Sequence, residues 1–169
     1  MVASAPPQHA PLNTLETTVI DSRKEGSYTD YAVRVQPKHG SMSDGSVVYR
    51  RFSAFVQLQC LVNRHLQDVT HCCGGECKCL LSRFVQPVFE STDFQTPKLQ
   101  GLLGRNSTRV VSERVVFLNA FLTALHEALA QCPPLVLQRC EQENCKLHKL
   151  LQSFFGCLAQ PRPGRARSV

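Results

Sequence analysis

No apolar run in this 169-residue chain approaches the roughly 20 residues a helix needs to cross a bilayer. The opening residues, MVASAPPQHAPLNT, have neither a basic start nor a hydrophobic stretch, so no secretory signal is read there. Cytoplasmic residence is the expectation. Also missing are G-x-S-x-G, the P-loop, H-E-x-x-H and the dinucleotide fingerprint. Six histidines and nine cysteines permit many nucleophile–base pairings, but none has a recognisable setting. The chain is therefore expected not to be an enzyme. It has no internal repeat.

What is present suits one domain with a proper core: 43% hydrophobic residues, 19% charged, 9 Gly and 10 Pro. The formal net charge of +6 fits an anionic partner, either membrane headgroups or nucleic acid, and equally fits a surface charged for solubility. No helix shows a basic stripe interleaved with aromatics, so nucleic acid is not an expected partner. The cysteine count is odd and lacks the setting of a secreted disulfide scaffold, so reduced thiols are expected.

Along the chain, residues 1–13 read as a flexible Pro-rich lead-in. Leu15 to Asp21 is short and β-branched, and reads as a strand. Gly26 offers a turn. In Tyr28 to Val35, Tyr31, Val33 and Val35 alternate with Ala32 and Arg34, as a half-buried strand does. Val47 to Arg51 reads as a third strand, completing an antiparallel meander. Periodicity then turns helical: Ser53 is the expected cap of a helix with Phe55, Leu58, Leu61, Val62 and Leu66 on one face. A Cys-rich insertion occupies about 70–80. A short helix follows over Leu80 to Phe89, limited by Pro87. The clearest helix is expected from an N-cap at Ser112, through Val115, Leu118, Phe121, Leu122, Leu125 and Leu129, to Pro133-Pro134. A last helix spans Leu135 to Phe155 and ends at Gly156; residues 157–169 read as a basic disordered tail. Strands first and helices after describe an α+β domain over 14–156, a three-stranded antiparallel β-meander packed against a helical subdomain.

The densest chemical signal is Tyr49 to Phe55, YRRFSAF, where the third strand meets the first helix. Arginines beside a helix N-terminus favour phosphate, because cation, backbone N–H groups and helix dipole act together. The planar guanidinium holds phosphate oxygens with geometry as well as charge. A neighbouring aromatic can pack on the flat apolar face of a sugar or inositol ring. The same residues also read as solvated strand-end charges beside a core phenylalanine.

The junction resembles the phox-homology (PX) family, which carries Arg-Arg/Tyr-aromatic-Ser-x-Phe after a three-stranded sheet. That family continues with a proline-containing basic loop and a helix bearing Glu-Arg-x-x-x-Leu-x-x-Phe-Leu. Here Glu113-Arg114-Val115-Val116-Phe117-Leu118-Asn119-Ala120-Phe121-Leu122 matches the last element. The resemblance covers roughly Leu15 to Phe155. It implies a phosphoinositide site in which Arg51 binds the 3-phosphate, Phe52 floors the inositol ring, Lys98 meets the 1-phosphate and Arg114 reaches the ring hydroxyls. Arg50 is implied as a supporting charge. The implied lipid is phosphatidylinositol 3-phosphate, and the implied role is membrane recruitment, peripheral on endosomal membranes. Phe52 replaces the commoner tyrosine. The loop Phe94-Gln95-Thr96-Pro97-Lys98 has one proline where several are usual, so Arg105 or Arg109 could supply the charge assigned to Lys98. Leu99, Leu102 and Leu103 read either as membrane-dipping side chains or as core. A second reading keeps the fold as a protein-interaction module with weak or no lipid binding.

No cofactor is expected. Cys73, Cys77, Cys145 and His148 form a zinc candidate, with Cys145-x-x-His148 on one helical face. Buried or incidental free thiols are the preferred reading, since the two regular knuckles of a structural site are not present.

Overall fold

The computed structural model describes residues 11–39, 45–67, 76–94 and 107–157, with only the backbone for 76–80. The chain is an α+β domain, with a three-stranded antiparallel sheet and five α-helices among the described residues. Strands β1 (Leu15–Glu25), β2 (Tyr28–Pro37) and β3 (Ser46–Arg51) lie in the order β1-β2-β3. Helices α1 (Phe52–Gln67), α2 (Glu76–Ser91), α3 (Thr108–Gln131), α4 (Pro134–Gln142) and α5 (Lys146–Phe155) follow.

The first two strands form a tight hairpin: Glu25 pairs with Tyr28, and Gly26 takes a positive φ of 57° that a Cβ would disfavour. β1 runs beyond the expected Asp21 because the hairpin carries pairing to its tip. An irregularity in register falls between Val19 and Asp21. Asn119 of α3 serves Val19 there. Its Oδ1 accepts from Val19 N at 2.7 Å, and its Nδ2 donates to Val19 O at 3.2 Å.

One face of the sheet is apolar. Leu15, Val19, Tyr31, Val33 and Val35 are buried with Leu118, Phe121, Leu122, Leu125 and Leu129 of α3. Phe55, Leu58 and Val62 of α1 and Leu81, Val85 and Phe89 of α2 complete the helical side. Leu12 is also fully buried, in a single 3-10 turn over Leu12–Thr14, so the last residues of the expected flexible lead-in are packed on the core.

Several helix boundaries differ from expectation. α1 starts at Phe52, at the end of β3. α2 runs through Pro87, whose side faces solvent while Val85 and Phe89 are buried. Their burial offsets the roughly 3 kcal/mol a proline costs inside a helix. α3 is capped by Ser107, whose Oγ accepts from Val110 N, and not by Ser112. The last expected helix is two. Asn144 takes φ 55°, a conformation asparagine tolerates, and Cys145 N donates to Cys140 O at 2.8 Å. Most of the Cys-rich stretch lies outside the described residues; the backbone is helical from Glu76. Among the described residues no single helix is long and apolar enough to cross a membrane.

Candidate functional site

β3 pairs antiparallel with β2, setting Arg50 opposite Tyr31 and Arg51 opposite Asp30. Successive strand residues face opposite sides of a sheet, so the two arginines part. Arg50 turns to the helical side. Its Nε donates to Phe154 O at 2.9 Å and its Nη2 to Ser153 O at 3.0 Å, at the C-terminus of α5. Those carbonyls lie in the last turn of the helix, where the partial negative charge of the helix end favours a cation. Burial pushes the Arg50 guanidinium below its ordinary pKa. Arg50 is thus held in a structural contact between β3 and α5.

Arg51 stays exposed on the other face. Its Cζ lies 3.4 Å from the centroid of the Tyr28 ring, and its Nε is 3.7 Å from Asp30 Oδ1. A cation over an aromatic face is attracted by the ring's quadrupole. The Asp30 pair is long and solvent-exposed, so it contributes little.

Phe52, the next residue, opens α1 and is half-buried. The guanidinium of Arg114, on the second turn of α3, sits 4.4 Å from the centroid of the Phe52 ring. The structure therefore brings together Phe52 and Arg114, which lie far apart in the chain. Phe94 buttresses the pair edge-on, with its ring 6.1 Å from Phe52, 5.2 Å from Phe117 and 5.0 Å from Phe121. Phe94 is positioned in turn by Gln59 of α1, whose Nε2 donates to Phe89 O at 2.7 Å and Thr92 O at 2.6 Å, just after α2. This aromatic ladder runs from the core to the surface and fixes the ring that carries Arg114.

The arrangement can hold an anion attached to a flat, apolar-faced ring. The Arg114 guanidinium lies over the ring of the first residue of α1, and Arg51, the residue before it in the chain, carries its guanidinium over Tyr28. Lys98, Arg105, Leu99, Leu102 and Leu103 lie outside the described residues. Arg109, the alternative cation, is paired with Glu113 at 3.0 Å along the helix.

Tyr28, Asp30, Phe94 and Gln59 were not among the expected site residues. The signal for Asp30 and Tyr28 is the β2–β3 register, which strand periodicity alone does not supply. As for the metal candidates, Cys145 and His148 are both buried, while Cys73 and the Cys77 side chain lie outside the described residues. Among the described residues no group of three or more His, Cys, Asp or Glu side chains could hold a metal ion. Burial pushes Cys132 and Cys157 up to about 11, which keeps both thiols protonated at neutral pH.

A scan against protein-family models finds no match to this chain, and a search of curated proteins finds none either.

Proposed function

We propose that the corner formed by Arg51, Phe52 and Arg114 binds the headgroup of a phosphoinositide, phosphatidylinositol 3-phosphate in the first instance. The chain would thereby act as a PX-like membrane-recruitment module. The reading rests on YRRFSAF and ERVVFLNAFL, the two stretches that resemble the PX family. The single observation that carries it is the Arg114 guanidinium lying 4.4 Å over the Phe52 ring. A cation held against a half-buried ring, next in the chain to an exposed arginine, is the combination of charge and apolar floor that a phosphorylated ring ligand would use.

In this reading Arg51 leaves the weak, exposed contact with Asp30 for a phosphate, which carries more charge and offers more acceptors. Each charge-assisted hydrogen bond contributes about 1.5–3 kcal/mol. Phe52 supplies the apolar floor, and Arg114 donates to ring hydroxyls.

Sedimentation with vesicles across the phosphoinositide series tests it. Wild-type chain should prefer phosphatidylinositol 3-phosphate, and Arg51→Ala and Arg114→Ala should each weaken binding about ten-fold or more. Absence of a preference, or unchanged binding by Arg51→Ala, overturns the proposal.

One observation favours a second reading, a PX-fold protein-interaction module with weak or no lipid binding. Arg51 already has a carboxylate at 3.7 Å and an aromatic ring beneath it, a pairing that needs no ligand. Under that reading the vesicle series would show no phosphoinositide-dependent binding.

A further inference from the structure

The turn that separates α4 from α5 is a Schellman motif. Asn144 takes the left-handed φ of 55°, its N donates to Glu141 O at 3.1 Å, and Cys145 N donates to Cys140 O at 2.8 Å. The residues joined by the wider of these bonds commonly pack their side chains together, and here both are cysteines. At the observed N···O distance, covalent geometry on either side of the hydrogen bond holds the two Cα atoms within about 6.7 Å. Cysteines bridged by a disulfide have Cα atoms about 4.4–6.8 Å apart.

Both residues carry thiols, and both belong to the main core, Cys140 being 1% exposed and Cys145 0%. That burial decides which oxidation product suits the fold. A mixed disulfide with glutathione would hold a tripeptide on a sulfur that the core covers, whereas a bond between the two sulfurs stays within the core. Hydrogen peroxide needs little room. Local opening of α4, a helix of nine residues between Pro133 and the Asn144 turn, admits it. Once one sulfur is oxidised, the other cysteine is held beside it by the turn, and an intramolecular reaction runs ahead of a bimolecular one.

We propose that Cys140 and Cys145 form a redox site that hydrogen peroxide converts to an internal disulfide, fixing the turn between α4 and α5. One thiolate attacks a peroxide oxygen: an S–O bond forms, the O–O bond breaks, and the departing hydroxide takes up a proton as water. The second thiolate then attacks the oxidised sulfur: the S–S bond forms, the S–O bond breaks, and a second water leaves. The two thiols lose two electrons and two protons in all, and the peroxide becomes two waters. The site uses none of Arg51, Phe52 and Arg114 and stands independently of the headgroup reading.

Equilibrium with the dithiothreitol couple tests the juxtaposition. The full chain in native buffer is brought to equilibrium from both directions, quenched with acid, alkylated and digested with trypsin. Cleavage after Arg139 and Lys146 isolates the peptide 140–146, in which these are the two cysteines. Its disulfide form is lighter than the dithiol by two hydrogens and takes no alkyl group, so mass spectrometry reads the ratio. A synthetic peptide of residues 136–149, with the same two cysteines, is the reference without the fold. The disulfide should be favoured at least ten-fold more in the chain than in the synthetic peptide, about 30 mV in potential. An equal or smaller constant in the chain means that the fold does not bring the sulfurs together, and overturns the proposal. In a second arm, equimolar hydrogen peroxide is added to the reduced native chain in the presence of glutathione. The internal disulfide should be the main product at Cys140 and Cys145. A glutathione adduct there, a link from either to another cysteine, or a pair still reduced after buried Cys132 and Cys157 have been oxidised overturns the proposal equally.

Discussion

Arg50 and Arg51 are adjacent in the chain yet reach opposite faces of β3, one bonded to the Phe154 carbonyl at 2.9 Å and the other stacked 3.4 Å above Tyr28. One arginine closes a helix end and the other is left at the surface. The two should therefore separate in mutation. Arg50→Ala removes charge-assisted bonds to two terminal carbonyls and should cost about 2 kcal/mol of stability. Arg51→Ala should change stability by less than about 1 kcal/mol. Urea unfolding midpoints of the two variants check this, and equal losses would contradict the division.

Asp30 faces Arg51 across the β2–β3 ladder at 3.7 Å. If Arg51 meets a phosphate, that carboxylate competes for the guanidinium and repels the ligand. Asp30→Asn should then tighten vesicle binding about two- to five-fold, the ratio that corresponds to ~0.5–1 kcal/mol for an exposed pair. A weaker or unchanged affinity would mean that Asp30 orients Arg51 and does not restrain it.

Gly156 occupies a left-handed conformation, φ 73°, at the end of α5, and a Cβ there would stand 2.6 Å from Val48 Cγ1 of β3. Gly156→Ala thus meets two costs: a backbone penalty of about 1 kcal/mol and a collision. Only the collision depends on Val48. In a double-mutant cycle, Val48→Ala should recover about 1 kcal/mol or more of the Gly156→Ala loss, measured by chemical denaturation. Strict additivity would show that Gly156 matters through its backbone alone.

These contacts also show where the sequence could be read and where it could not. The meander and the stripe Leu118, Phe121, Leu122, Leu125 and Leu129 were legible because periodicity reports burial directly. The start of α3 at Ser107 was not, since its first turn, Thr108 to Val111, mixes polar and β-branched residues without a stripe. Nor was the break at Asn144, because an asparagine in a left-handed turn looks like any polar helix residue when no Gly or Pro marks it. At the candidate site, Phe52 and Arg114 were singled out through the family resemblance. No local pattern predicts that a strand-end ring meets a residue on a distant helix. Asp30 and Tyr28 depend on register, and Phe94 on the way Gln59 ties the end of α2 to α1.

His126 provides a test in pH. It is buried, its Nε2 is 2.8 Å from Thr17 Oγ1, and its ring stacks on Phe155 with centroids 5.1 Å apart. Burial, with a smaller contribution from the charge on Lys38, lowers its pKa from 6.5 to about 4. The neutral ring is therefore the folded form. Above about pH 6.5 neither state binds the proton, and the full contribution of His126 to stability is present. As pH falls from there towards 4 the unfolded chain takes up a proton that the folded one refuses, so stability declines. The loss between pH 7 and pH 5 should be about 2 kcal/mol from this residue, approaching about 3 kcal/mol below pH 4. His148, also buried with a lowered pKa, acts in the same direction. In denaturation series at several pH values, a folded His126→Gln variant should lose about 2 kcal/mol less than the wild type between pH 7 and pH 5. Parallel pH profiles for the two chains would show that His126 is protonated inside the fold.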